Sequence, residues 1–305
     1  MKEIPLQQIS LQPDEETSEH PSQWAAQDDY KLLSMAFTVK SMDGEFAESL
    51  RWHLAPFLLD SPAPGGLPVE LVTEAVTGEP GFLFRFATQE RFHVDLLPEA
   101  IHRAVWEIQR SVPDYVRDFV LLHAGAVVLE GGALLLPART SSGKSSLCLG
   151  LLEAGHAYLS DDVAALDPIT GRAYPYPKRI KLIPDALEFF PGLEERLQDR
   201  TLPYPQWERF ARPEDVGATV AEPTPVRWMV FPTDDFEGRA VLEPITSAKC
   251  VELMAANCFN LYRYGEGGVV LLSRIASGAE AFLLSGGSLD ERIELVRGRL
   301  GDQGA

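Results

Sequence analysis

The chain is poor in cysteine and in positive charge. Its 305 residues hold three cysteines, Cys148, Cys250 and Cys258. They form no CxxC pair and match no zinc-ligand spacing, so neither a disulfide framework nor a structural zinc site is expected. Cys148 falls in an apolar helical stretch and reads as core. Lys and Arg number 27 against 45 Asp and Glu, a formal charge of −18. Such an acidic surface repels nucleic acid and anionic membranes at long range, which argues against both as partners. No window reaches the ~18 consecutive apolar residues of a membrane-spanning helix. Residues 1–19 carry neither a basic flank nor an apolar run, so no signal peptide is expected and the cytoplasm is the default location. An NKxD base-recognition motif is absent, so nothing argues for a GTPase. Without HRD and DFG motifs the eukaryotic protein-kinase fold is excluded. Internal repeats and low-complexity tracts are absent too.

What is present suggests an α/β chain in three parts. Residues 1–28 are rich in Glu, Gln, Ser, Pro and Asp and read as a mobile leader. Residues 29–118 read as a smaller α+β N-terminal domain, with strands over Leu33–Val39 and Gly81–Ala87 and helices over Glu45–Leu58 and Pro98–Phe119. In the second helix Ile101, Val105, Ile108, Val112 and Val116 recur every three or four residues. The SPAPGG stretch from Ser61 to Gly66 reads as a loop. Residues 119–305 read as the main domain. A strand over Val120–Glu130, a turn at Gly131 and Gly132 and a strand over Ala133–Leu136 form a hairpin. A helix over Ser146–Ala154, closed by Gly155, and a strand over His156–Ser160 follow. Val163–Tyr176 reads as a second hairpin turning at Asp167–Gly171. Residues 191–225 read as a long Pro-rich loop. Strands over Arg227–Phe231, Arg239–Leu242 and Ala279–Leu284 and helices over Ser247–Phe259 and Leu289–Leu300 complete the reading.

Chemistry concentrates where that hairpin meets its helix. Ala138, Arg139, Thr140, Ser141, Ser142, Gly143, Lys144 and Ser145 lie between an apolar strand and a helix, with Ser146 next. A phosphate-binding loop needs this order: inward backbone N–H groups, a helix N-terminus, a lysine for the β- and γ-phosphates and a hydroxyl for Mg²⁺. The cofactors implied are ATP, or another nucleoside triphosphate, and Mg²⁺. Ala138 stands where the pattern has glycine, which is tolerable at negative φ and costly at positive φ. Asp161 and Asp162 follow one helix and one strand later. In a βαβ unit both strand ends open on one edge of the sheet, which sets these carboxylates beside the γ-phosphate. One can hold Mg²⁺ and the other can take a proton from a hydroxyl. Adjacent carboxylates also raise one another's pKa, which suits a base. His123, on the strand before the loop, is placed to reach one of them; the bland alternative is a core histidine. Lys178, Arg179 and Lys181 form a basic cluster that reads first as a solvated strand edge and second as an anion contact.

These residues resemble the bacterial HPr kinase/phosphorylase family and its wider kinase relatives. The resemblance runs from His123 to about Lys181. It rests on His123, Ala124 and Gly125, on Gly143, Lys144 and Ser145, on the run Leu151–His156 and on Ser160–Val163. Weaker echoes lie at Val226–Pro232 and Leu253–Phe259. The resemblance implies a P-loop kinase core of the HPr-kinase type, with a strand hairpin before the loop. It implies Asp162 as catalytic base, His123 as its support, Lys144 on the phosphates, and Ser145 and Asp161 on Mg²⁺. Two departures stand out: Ala138 replaces the loop glycine, and YPYPKRIKL replaces the glycine-rich phosphorylase signature. The expectation is a kinase acting on a hydroxyl of a peptide, protein or small molecule, without phosphorylase activity. The alternative is a nucleotide-binding regulatory or interaction module without turnover. Oligomeric state is left open, a homo-oligomer included.

Overall fold

The structure, a computed structural model, describes residues 24–62, 65–73, 77–138, 142–182, 187–197 and 209–301. Residues 1–23 of the expected leader, part of the 61–66 loop and residues 198–208 of the Pro-rich segment lie outside these.

The chain opens with a five-stranded sheet. Strands β1 (Ala26–Leu32) and β2 (Met35–Ser41) form an antiparallel hairpin, so ordered structure begins inside the span read as leader. The single strand expected over Leu33–Val39 is corrected to this hairpin. Its turn puts Leu33 at φ 54°, where β-branched or apolar residues are rare. Helix α1 (Gly44–Leu54) follows, capped by the Asp43 carboxylate, which accepts from the Phe46 amide at 2.7 Å. Strands β3 (Leu67–Thr73), β4 (Phe82–Phe86) and β5 (Gln89–Val94) complete the order β1-β2-β3-β4-β5. Helix α2 (Leu97–Tyr115) buries its periodic stripe, Ile101, Ala104, Ile108 and Val112, against Phe37, Phe46 and Phe84.

A larger mixed sheet follows. Strand β6 (Val120–Leu129) turns through Glu130 and Gly131 into β7 (Gly132–Pro137). Helix α3 (Lys144–Glu153) leads to β8 (Ala157–Ser160), β9 (Val163–Leu166) and β10 (Arg172–Tyr174), the last two closing the expected second hairpin. Beyond come β11 (Ile180–Leu182), α4 (Leu193–Leu197) and β12 (Arg209–Ala211). The segment 191–225 therefore holds regular elements where a loop was expected. Then follow β13 (Thr224–Pro232), β14 (Val241–Pro244), α5 (Ser247–Ala256), α6 (Gly265–Ser277), β15 (Glu280–Ser285) and α7 (Leu289–Val296). The eight-stranded sheet runs β10-β9-β6-β7-β13-β15-β14, with β8 also paired to β6. Strands β7, β13 and β15 are parallel.

Strand periodicity sets the layers. Trp228 and Val230 pack with Leu147, Leu151 and Val296 on one face; Met229 and Phe231 pack with Cys250, Met254 and Leu272 on the other. The class is therefore α/β, with helices on both faces of the sheet. Helices α3 and α7 lie so close that a Cβ at Gly150 would stand 2.1 Å from Ile293 Cδ1. The two sheets are not separated by a solvent layer: Leu121, Val163 and Ala165 of the second belong to the same buried cluster as Phe37 and Phe84 of the first.

Candidate functional site

Strand directions bring the candidates to one edge. Strands β7 and β8 each pair antiparallel with β6, so they point the same way and their C-terminal ends share an edge with the start of β6. The β6 ladder pairs Ala124 with Pro137 on one side and His123 with Val163 on the other. The Ala124 amide donates to the Asp162 carbonyl at 3.1 Å. His123, Ala138 and Asp162 are thereby neighbours by backbone register alone.

Arg139, Thr140 and Ser141 of the expected phosphate loop lie outside the described residues. The rest of it is placed. Ala138 is buried and is not among the non-glycine residues at positive φ, which meets the condition set for alanine there. Gly143 sits at φ 78°, a left-handed conformation that favours glycine, directly before the first turn of α3. Ser142 and Lys144 are buried, Ser145 is exposed and Ser146 is half-buried.

The Lys144 ammonium reaches across the edge to Asp162 Oδ1 at 3.4 Å. His123 Nε2 donates to the same oxygen at 3.1 Å. Lys178 Nζ lies 3.4 Å from Asp162 Oδ2 and 3.6 Å from Asp161 Oδ1. The Tyr158 hydroxyl is 3.2 Å from Asp161 Oδ1 and 3.1 Å from the Lys178 carbonyl, donor to either. Asp161 is buried, whereas the Asp162 side chain is 42% exposed. Asp162 is thus the carboxylate that faces outward.

Burial and charge set the two carboxylates apart. Burial raises Asp161 above the usual carboxylate range, and Asp162 adds to that, while Lys178 and Lys144 only partly oppose it. For Asp162, burial is outweighed by Lys178, by the His123 hydrogen bond and by Lys144, so its carboxyl is held well below the usual range. The expectation that pairing would raise the base is therefore corrected: it holds for Asp161 and fails for Asp162. Lys144 is lowered by burial, against the pull of both aspartates; Lys178 is raised, because the same pair outweighs its burial.

The basic cluster is also corrected. Only Lys181 is exposed; Lys178 and Arg179 are buried. Arg179 donates twice to the Trp52 carbonyl, at 2.8 and 2.6 Å, and stacks on the Trp52 ring at 4.7 Å. It pins the segment carrying Lys178 to α1. Beside it an open surface depression is lined by His53, His102, Trp106, Lys178 and Lys181, with other residues of α2 and β12. Cys148 is core: burial pushes its thiol up.

Sequence reasoning misses Arg292 and Phe236, and it reads Lys178 as a cation with no sign of its burial. Arg292 is 2% exposed and reaches the loop from α7. It donates to the carbonyls of Gly286 at 2.8 Å, Thr233 at 3.2 Å and Ser142 at 3.4 Å, and to that of Asp235. Phe236 lies over its guanidinium at 4.2 Å.

No family model matches the sequence, and no curated protein matches it. No described helix is long and apolar enough to cross a membrane. No group of three or more His, Cys, Asp or Glu side chains among the described residues could hold a metal ion unaided.

Proposed function

We propose that the chain is a P-loop phosphotransferase that moves the γ-phosphoryl group of a nucleoside triphosphate, ATP by default, to a hydroxyl. The observation that carries this reading is the convergence of Lys144, His123 and Lys178 on Asp162, at the end of a strand–loop–helix unit. Lysine at the start of α3 and the amides before it suit the β- and γ-phosphates. The exposed Ser145 hydroxyl would hold Mg²⁺, an ion that takes one or two protein oxygens beside phosphate oxygens and water; Asp161, the second donor expected, is buried against Lys178 and Tyr158 and fits that role less well. When bound, the ion neutralises phosphate charge.

Asp162 accepts the hydroxyl proton as the acceptor oxygen bonds to the γ-phosphorus. The bond from that phosphorus to the β-phosphate oxygen breaks, and nucleoside diphosphate leaves. In this largely positional chemistry a weak base suffices. When Lys144 turns to the phosphates, one of the cations that depress Asp162 is withdrawn. The kinship expected with HPr-kinase relatives and the division into a recognition layer, residues 29–118, and a kinase domain, residues 119–305, belong to the same proposal.

Calorimetric titration with Mg²⁺-ATP tests the reading. Lys144→Ala loses a charged hydrogen-bond donor, worth about 1.5–3 kcal/mol, so affinity is expected to fall roughly 10- to 100-fold or more. Equal affinity and equal phosphate release in parent and variant would sink the assignment.

A further inference from the structure

The phosphate loop has two flanks. On one, β6, β8 and β9 present Asp161, Asp162 and His123. On the other, β7 is followed in the sheet by β13 and then β15, all parallel, so their C-terminal ends open on the same edge. If the γ-phosphate meets Asp162, the nucleoside end of the molecule extends over the second flank, toward the residues after β13 and β15. Open parallel sheets bind ligands in this position, outside the carboxyl ends of their strands.

Phe236 stands there. It is 49% exposed, although it is a large apolar residue beside a polar loop. A Cβ placed on Gly143 would lie 3.5 Å from its Cε1, so the ring borders the residue that precedes Lys144. Arg292 covers the ring from beneath at 4.2 Å. That guanidinium is itself fixed by the carbonyls of Ser142, Thr233, Asp235 and Gly286. The Glu237 amide donates to Asp235 Oδ1 at 3.0 Å, and the Gly286 amide to the Asp235 carbonyl at 2.9 Å, which shapes the turn that presents the ring. The ring is thus held against the loop with much of its surface open to solvent.

We infer that Phe236 is the platform on which the nucleobase of the triphosphate stacks, with Arg292 as the positioning residue behind it. The inference rests on the nucleotide reading above and adds the base subsite. An aromatic ring fixed from one side loses little freedom when a planar base covers the other. The ligand class is a nucleoside triphosphate without strong choice of base, because every base has a π-face and stacking alone selects weakly.

The test compares Mg²⁺-ATP with Mg²⁺-tripolyphosphate, which has the phosphates and no base, by calorimetry on the full chain. Stacking of one base is worth about 1–3 kcal/mol by alanine substitution. Phe236→Ala is therefore expected to weaken ATP roughly 5- to 100-fold and to leave tripolyphosphate unchanged. Phe236→Trp is expected to keep ATP affinity, and melting temperatures of both variants check the fold. ATP affinity in Phe236→Ala within twofold of the parent would overturn the inference. So would an equal loss for ATP and tripolyphosphate, since the ring would then be shaping the loop. Either result leaves the phosphate loop standing if the parent binds tripolyphosphate. A parent that binds neither compound overturns the nucleotide reading and the base subsite together.

Discussion

The two flanks of β7 solve different problems with the same backbone geometry. The flank toward β6 gathers groups whose protonation matters: two carboxylates, two lysines and a histidine, linked through Asp162 and Lys178 by contacts of 3.1 to 3.6 Å. The flank toward β13 gathers groups whose protonation does not change: an arginine, four carbonyls and a phenyl ring. The first is suited to chemistry and the second to holding shape. With Lys144 set aside for the phosphates, a substitution of Asp162 or His123 on the first flank should change rate, and one of Phe236 on the second should change affinity.

The sharpest separation is expected at Asp162. Asp162→Asn keeps the shape of the side chain and removes the proposed proton acceptor. Phosphate transfer is expected to slow ~10²–10⁴-fold, the range of a lost general base, while calorimetric affinity for Mg²⁺-ATP stays close to the parent. If affinity falls and rate at saturation does not, the two flanks do not divide the labour as described.

Lys178 comes next, with an effect on stability. It and Asp161 are both buried, and deleting one partner of a buried pair costs about 3–5 kcal/mol because the other charge is stranded. Lys178→Met should lower denaturation midpoints accordingly. Adding Asp161→Asn should recover part of the loss, since no buried charge is left unmatched. A double variant less stable than Lys178→Met would show that the pair is not the coupled unit.

Much of the first flank was legible in the sequence, and little of the second. The glycine–lysine–serine run between strand and helix, the aspartate pair and His123 lie within 40 residues and are ordered by short connections, so local reasoning places them together. Arg292 meets Ser142 across 150 positions in the chain. No local pattern signals that contact. Lys178 and Arg179 look like any surface cluster in one dimension; contacts distant in sequence engage them, Trp52 of α1 at Arg179 and Tyr158, Asp161 and Asp162 at Lys178. Fold errors have equally local causes. Helix α6 went unread because Gly265, Gly267 and Gly268 argue against a helix; Gly268 is there because a Cβ would come within 2.7 Å of Leu261 Cδ1. Strand β3 went unread because Pro68 interrupts its pattern.

The smallest effect is expected at Ala138, on the boundary between the flanks. Since it already avoids positive φ, glycine there removes a methyl and adds no contact. Nucleotide affinity and phosphate release of Ala138→Gly should stay within about tenfold of the parent. A hundredfold rise in turnover would mean that the alanine holds the loop closed, as a regulatory module without turnover would require.

The close approach of α3 and α7 makes a statement about drift. Isoleucine is stiff in a helix, so the space occupied by its side chain at 293 is space denied to residue 150. Among descendants of this sequence, a side chain at 150 is to be found together with a smaller one at 293. The two positions should covary, because their combined bulk sets how the helix that begins with Lys144 is aimed.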